Sequence, residues 1–286
     1  RLCRDQIAKR CADAACDIER IMNDKDPRPV CLTIAGVDPS GGAGVLADIK
    51  TFSRHACFGT GAITSLTFQN TTGVFGAAAQ SADTVYEQIK AVAVDMRIAA
   101  VKTGMLPTRA VIETVAECIE EFHLQNIVVD PVVRSTSGFD LIDDEALAAL
   151  VEKLFPLAAV VTPNLAEAER IVGCKILSLG DLHSAGKRML DLGAKAVLIK
   201  GGHSFEAAPE KAVDRLYLAE EVLEFEADFI AGEAVHGTGC ALSAAIAANL
   251  ACGKQLFTAI EDAKGFVTDA IRSAVKVGHG NRPVNV

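Results

Sequence analysis

"VCLTIAGVDPSGGAGVLADIKTFSR", residues 30–54, passes from a β-branched run through a glycine-rich stretch into an amphipathic segment. Val30–Ala35 reads as a strand apolar on both faces, and Val45, Leu46, Ile49 and Phe52 recur at helical spacing. Strand, bare turn and helix in that order make the opening of a βα unit. The alternation continues down the chain. Further strands are expected at Ala62–Phe68, Ala99–Thr103, Ile127–Asp130, Ala159–Thr162 and Ala196–Lys200, and Val111, Val115, Cys118, Ile119 and Phe122 mark one face of an intervening helix. Strands that are apolar throughout and interleaved with helices imply a mostly parallel sheet covered on both faces. "AVDRLYLAEEVLEFEA", residues 212–227, alternates around a polar turn and reads as a β-hairpin.

The expected architecture is therefore one α/β domain over residues 30–286. Residues 1–29 stand apart: charge alternates there with Ala, Ile and Cys at helical spacing, ending in a charged, Pro-containing linker. This reads as a helical extension with no chemistry assigned to it.

A net charge of -9 on 286 residues argues against a nucleic-acid-binding surface, because nothing would neutralise phosphates along a strand. No apolar run approaches the roughly 20 residues of a membrane span. The nine cysteines are irregularly spaced without a CxxC pair, and read as reduced, mostly buried residues of a cytosolic protein.

In open α/β sheets, ligands bind beyond the carboxyl ends of the strands. The polar and glycine-rich clusters fall there: "GVDPSGGAG" (36–44), "QNTTG" (69–73), "KTGM" (102–105), "DPVVRSTSG" (130–138), "TPNLAEAE" (162–169) and "KGGH" (200–203). Near the end, "VHGTGCALSAAIAANLA" (235–251) sets two glycines and a cysteine before a helix of small residues. Gly237-Thr238-Gly239 would leave the first N–H groups of that helix open to an anion, a position that also suits a tight turn. No cluster ends in Gly-Lys-Ser/Thr, so there is no P-loop, and the dinucleotide fingerprint fails on spacing. Asp130 and Glu167 are suitable donors to a Mg2+ accompanying a nucleotide, and either would equally serve to cap a helix or solvate a turn.

Taken together and in order, "TIAGVDPSGGAGVLADIKTFS", "TSLTFQNTTGV", "VKTGML", "VVDPVV", "VTPNLAEAE", "LIKGGH", "HGTGC" and "GHG" resemble the ribokinase-like superfamily. Within it the chain is similar to the hydroxymethylpyrimidine/phosphomethylpyrimidine kinases of thiamin biosynthesis, from Val30 to Val286. The resemblance implies transfer of the ATP γ-phosphoryl group to the hydroxymethyl of an aminopyrimidine and then to its monophosphate, with Mg2+, in a cytoplasmic homodimer. It implies a catalytic set of Cys240, Gly237, Gly239 and Lys200, with Cys240 where sugar kinases of the superfamily carry an aspartate base. Gln69 would read the base, its amide matching a ring nitrogen and exocyclic amine. Gly36, Ala43, Met105 and Val132 would line the ring pocket, with Asp48 reaching it from one helical turn further on. Asn164, Lys200, Gly202, Thr238 and Lys264 would hold the nucleotide, and Asp130 and Glu167 the metal. A helix N-terminus lowers a thiol pKa, so Cys240 is expected as a thiolate able to take the hydroxyl's proton. Arg134, where many relatives carry a small or apolar residue, is expected to face solvent.

Two other readings remain at this stage. Pyridoxal kinases share the fold and sometimes the cysteine. A pyrimidine-binding regulatory module would share the pocket, but it needs no γ-phosphate hole such as "HGTGC".

Overall fold

The computed structural model describes residues 28–133, 141–201, 210–232 and 235–286. Nearly all of the expected extension at residues 1–29, together with Arg134 and Gly202, lies outside them.

Nine strands form one sheet: β1 (Val30–Val37), β2 (Phe58–Asn70), β3 (Gly73–Ala79), β4 (Ile98–Thr103), β5 (Ile127–Val129), β6 (Val160–Val161), β7 (Val197–Ile199), β8 (Lys211–Tyr217) and β9 (Val222–Asp228). Their spatial order is β3-β2-β1-β4-β5-β6-β7-β8-β9. The six strands expected from the sequence pair in parallel, from β2 through β1 and β4 to β7. The expected hairpin is β8–β9, antiparallel on one edge.

The opposite edge was not legible. β3, "GVFGAAA", pairs antiparallel with β2, but most of it is exposed and its small residues show no alternation. A strand that buries almost nothing leaves no periodic signal. A second, two-stranded sheet was also missed. β10 (Val235–His236) pairs in parallel with β11 (Arg282–Pro283), so the chain end pins the segment before "GTGC".

Helices cover both faces of the large sheet. One layer holds α1 (Gly44–Arg54), α7 (Thr238–Ala251) and α8 (Leu256–Arg272), whose Phe52, Ile246 and Ile260 join a core with Cys31, Val128 and Leu198. The other layer holds α2 (Ala82–Ala93), α3 (Arg109–Glu121), α4 (Asp144–Ala149, continuing as a wider turn to Leu154), α5 (Leu165–Val172) and α6 (Leu179–Asp191). Val85, Ile112, Leu150 and Leu182 pack there against Leu32, Val101 and Val129. Every residue of α7 from Ala241 to Leu250 is buried. A helix apolar all round belongs inside, and it carries its N-terminus to the sheet's carboxyl edge. On α1 the expected face holds except for Leu46, which is exposed. Among the described residues no helix is long and apolar enough to cross a membrane.

Candidate active site

A cleft of 1490 Å³ opens along the carboxyl edge of the parallel strands. The loops after β1, β4, β5, β6 and β7 contribute to it, with Thr67 and Gln69 from the end of β2, in line with the placement of the polar clusters. Gly36, Ala43, Gln69, Met105, Val132, Asn164, Lys200, Lys264 and Cys240 all line the cleft.

The start of α7 forms the floor. Gly237 is its N-cap at φ +87°, with no side-chain cap, so the opening N–H groups are left to a ligand. A Cβ on Gly237 would fall 1.8 Å from the Gly42 carbonyl oxygen, so only glycine fits both the dihedral and the space. Glycine has a packing reason at Gly280 too, where a Cβ would strike the Thr71 backbone. There the Asn281 N–H donates to Thr71 O at 2.8 Å, and "GHG" braces the "QNTTG" turn.

Lys200 reaches in from the end of β7. Its Nζ donates to Asp130 Oδ1 at 3.0 Å and lies 3.8 Å from Glu167 Oε2; a Cβ on Gly239 would sit 3.1 Å from it. Burial opposes the ammonium, but Asp130 and Glu167 outweigh it and hold the Lys200 pKa above its usual value. Asp130 is fully buried; burial pushes its carboxyl up, and Lys200, Lys102 and the Ser243 hydroxyl bring it below the ordinary value. Glu167 differs. Burial raises its carboxyl to about 7, with Lys200 pulling down and Asp130 adding to the rise.

Two buried carboxylates thus share one ammonium, and further positive charge would relieve Glu167. That suits a divalent cation with few protein ligands. Among the described residues no group of three acidic, His or Cys side chains forms a ready metal cage, so phosphate oxygens and water would complete the shell. One Glu167 oxygen is already committed: Oε2 accepts from Asn164 N at 2.7 Å while Asn164 Oδ1 accepts from Glu167 N at 2.8 Å, the capping box of α5. Lys264 is tied to Asp214, Nζ to Oδ2 at 2.8 Å, and lines the cleft.

Asp48 does not reach the pocket. It is completely buried, and Oδ2 accepts from Lys102 Nζ at 2.8 Å and Thr33 Oγ1 at 2.6 Å, while Oδ1 has no partner. Lys102, on β4, is also completely buried. Burial works against its charge, but Asp48, Cys240 and Asp130 outweigh it and keep it protonated. The ammonium draws the carboxylate beneath the wall instead of into the cavity. Sequence reasoning noted "KTGM" as a cluster but gave Lys102 no role. The available signal was a lysine inside an otherwise apolar strand.

Cys240 also departs from expectation. It is half-buried and its thiol is pushed up to about 11, not down. Burial is the largest cause; Asp130 and Asp48 add to it, and Lys102 and the Gly44 backbone pull only partly the other way. The helix N-terminus is present, but two carboxylates and the loss of water exceed it.

Gln69 is held by residues that the sequence reading did not single out. Thr67 Oγ1 donates to Val37 O at 2.8 Å and lies 3.2 Å from Gln69 Oε1; Gln69 Nε2 lies 3.0 Å from His236 Nε2. The same His236 nitrogen lies 3.1 Å from Asp38 Oδ2, and Asp38 Oδ1 accepts from Ser40 N and Oγ at 2.9 and 2.7 Å. Burial pushes the Asp38 carboxyl up, but His236 and Ser40 bring it below its usual value. Thr67 has one hydroxyl hydrogen, already spent on Val37, and His236 Nε2 must carry its hydrogen toward a carboxylate. Turning the Gln69 amide over removes both conflicts: Nε2–H faces Thr67 Oγ1, and Oε1 faces His236 Nε2, whose single hydrogen it shares with Asp38 Oδ2. One N–H and one oxygen lone pair then remain for the cleft.

A ribokinase-like sheet with an uncapped glycine helix start, a lysine beside it and two carboxylates behind it defines an enzyme of the phosphotransferase class. The chain belongs to the phosphomethylpyrimidine kinase family, whose sequence profile matches residues 38–285. It is 42% identical over 254 residues to the hydroxymethylpyrimidine/phosphomethylpyrimidine kinase of Bacillus subtilis, covering 89% of this chain and 93% of the relative. A thiamine biosynthesis bifunctional protein of Geobacter sulfurreducens is 41% identical across 95% of this chain, which matches 55% of that longer protein. Among solved structures, phosphomethylpyrimidine kinase from Clostridium difficile superposes with a TM-score of 0.74 at 39% identity, covering 85% of this chain and 100% of that one. A Bacillus subtilis pyridoxal kinase in complex with ADP superposes with a TM-score of 0.82 at 37% identity, covering 90% and 97%.

Proposed function

We propose that this kinase transfers the γ-phosphoryl group of ATP to the hydroxymethyl oxygen of 4-amino-5-hydroxymethyl-2-methylpyrimidine, and then phosphorylates the resulting monophosphate, in thiamin biosynthesis. The reading is supported by Gln69, which lines the cleft within hydrogen-bond distance of Thr67 and His236; with its amide turned over, one donor and one acceptor are left for a ligand. A 4-aminopyrimidine presents the complementary pair, a ring nitrogen acceptor beside an N–H donor. Met105, Gly36, Ala43 and Val132 offer the apolar ring its walls. The open amides of Gly237, Thr238 and Gly239, with Lys200, would hold the phosphoryl group as it moves, and Asn164 and Lys264 would flank the nucleotide. Mg2+ carried by Asp130 and Glu167 would neutralise phosphate charge. Cys240 would take the hydroxyl's proton as the new P–O bond forms. Such transfers pass through a loose transition state, so the proton leaves late and the base need not be strong. Only the thiolate can accept it, and with the thiol pushed up to about 11 that form is a minor fraction near neutrality.

One narrower point belongs to the same reading. The exposed Leu66, Phe68 and Phe75 on β2 and β3, at 45%, 57% and 68% exposure, support burial of this edge in a homodimer, for which sedimentation velocity showing only monomer at micromolar concentration would be contrary evidence.

A second reading, pyridoxal phosphorylation, is favoured by the higher TM-score with the pyridoxal kinase. An ADP-release assay with the aminopyrimidine alcohol, its monophosphate and pyridoxal in parallel separates the two. The pyrimidines are expected to give the larger kcat/KM. Turnover of pyridoxal alone would overturn the assignment, and nucleotide binding with no ADP release from any of the three would favour a regulatory module.

A further inference from the structure

Away from the cleft, two helices end on a pair of thiols. Cys57 follows the turn that closes α1 and is 1% exposed, whereas Cys252, the C-cap of α7, is exposed. Their sulfurs lie 3.8 Å apart, and both sit against the His55 carbonyl oxygen, at 3.6 Å from Cys57 and 3.8 Å from Cys252. Cys31 on β1 is wholly buried and neighbours Cys57 from the core side. A disulfide needs about 2.05 Å between sulfurs. The gap is therefore within reach of side-chain rotation, aided by the position of Cys252 on an exposed helix cap.

We propose that Cys57 and Cys252 form a reversible disulfide by exchange with a small-molecule disulfide, Cys252 being the entry thiol and Cys57 the resolving one. The order follows from access. A bulky disulfide can meet Cys252 at the surface but not Cys57 in the core. The Cys252 thiolate attacks one sulfur of the reagent, expelling a thiolate and leaving a mixed disulfide on Cys252. Cys57 then loses its proton and attacks the Cys252 sulfur, expelling the second thiolate. Two protein thiols give up two electrons and two protons, and the reagent becomes two thiols. The neighbouring Cys31 thiol favours the second step, because against the cost of burial it lowers the Cys57 pKa.

The link would join positions 195 residues apart and tie α1 to the far end of α7. Because α7 has 14 residues and is therefore about 20 Å long, the link lies a helix length from Cys240, and the oxidised enzyme is expected to keep its turnover.

Incubating the whole protein with glutathione disulfide and mapping its peptides by mass spectrometry tests this. Before reduction the expected products are a peptide pair joined through Cys57 and Cys252 and a glutathione adduct on the exposed Cys174; dithiothreitol reverses both. Cys57→Ser is expected to stop at the mixed disulfide, with glutathione retained on Cys252, and Cys252→Ser to leave Cys57 unmodified. Wild-type protein that retains glutathione on Cys252 as the Cys57→Ser variant does, or that joins Cys57 to Cys31, would overturn the proposal.

Discussion

Alanine at Cys240 is expected to lower kcat by at least about tenfold, within the range of a lost general base, while nucleotide affinity stays within a few-fold of the parent. The thiol lies at the helix start that would cradle the moving phosphoryl group, yet it contributes no charge to nucleotide binding while it is protonated. Its raised pKa gives the pH dependence a definite sign. Below about 11 the neutral thiol dominates and the thiolate fraction grows as pH rises, so wild-type turnover should climb with pH. Glu167, raised to about 7, also loses its proton near neutrality, but its contribution saturates by about pH 8 and survives in the alanine variant. A climb above that pH in the wild type, absent from Cys240→Ala, identifies the cysteine. Steady-state kinetics across pH, paired with nucleotide titration, supply both readouts. Near-normal turnover in the variant would remove Cys240 from the chemistry.

The second large effect is on stability. Lys102→Met is expected to cost about 3–5 kcal/mol, because it leaves the Asp48 carboxylate buried without its cation. Both side chains are wholly buried, so solvent screening does not soften the loss. Oδ1 of Asp48 already lacks a partner, and Thr33 alone would have to satisfy Oδ2. The double variant Lys102→Met/Asp48→Asn should recover much of the loss, since it removes the stranded charge along with its partner. Urea unfolding of the three proteins measures this. A loss within about 1 kcal/mol for Lys102→Met, the range of exposed pairs, would mean the pair carries little of the wall's stability.

The sheet and the location of its cleft were open to sequence reading because buried parallel strands leave short, mostly apolar runs rich in β-branched residues. Val30–Val37 and Ile98–Thr103 are such runs, and the polar clusters that follow them mark the binding edge without any knowledge of side-chain geometry. β3 and the β10–β11 pair left no such trace, the first because it is small and exposed, the second because each strand has two residues. Site residues divide in the same way. Gln69, Met105, Lys200 and Cys240 fall in motifs and do line the cleft. The Asp48 placement failed because its direction is set by Lys102, 54 residues away, through a contact that helical spacing does not reveal. The Cys240 pKa failed for a related reason: the helix end is local and readable, whereas Asp130 and Asp48 arrive from elsewhere in the chain. His236 and Asp38 are 198 residues apart and meet only in the folded molecule.

The proposed chemistry requires the transferable phosphate to rest at the start of α7. A crystal structure with a non-hydrolysable ATP analogue, Mg2+ and the aminopyrimidine alcohol measures it directly. The terminal phosphate should accept hydrogen bonds from the opening amides of α7, with the hydroxymethyl oxygen between it and Cys240 and the ring edge on Gln69. A terminal phosphate bound elsewhere on the sheet edge, out of reach of Gly237–Gly239, would contradict it.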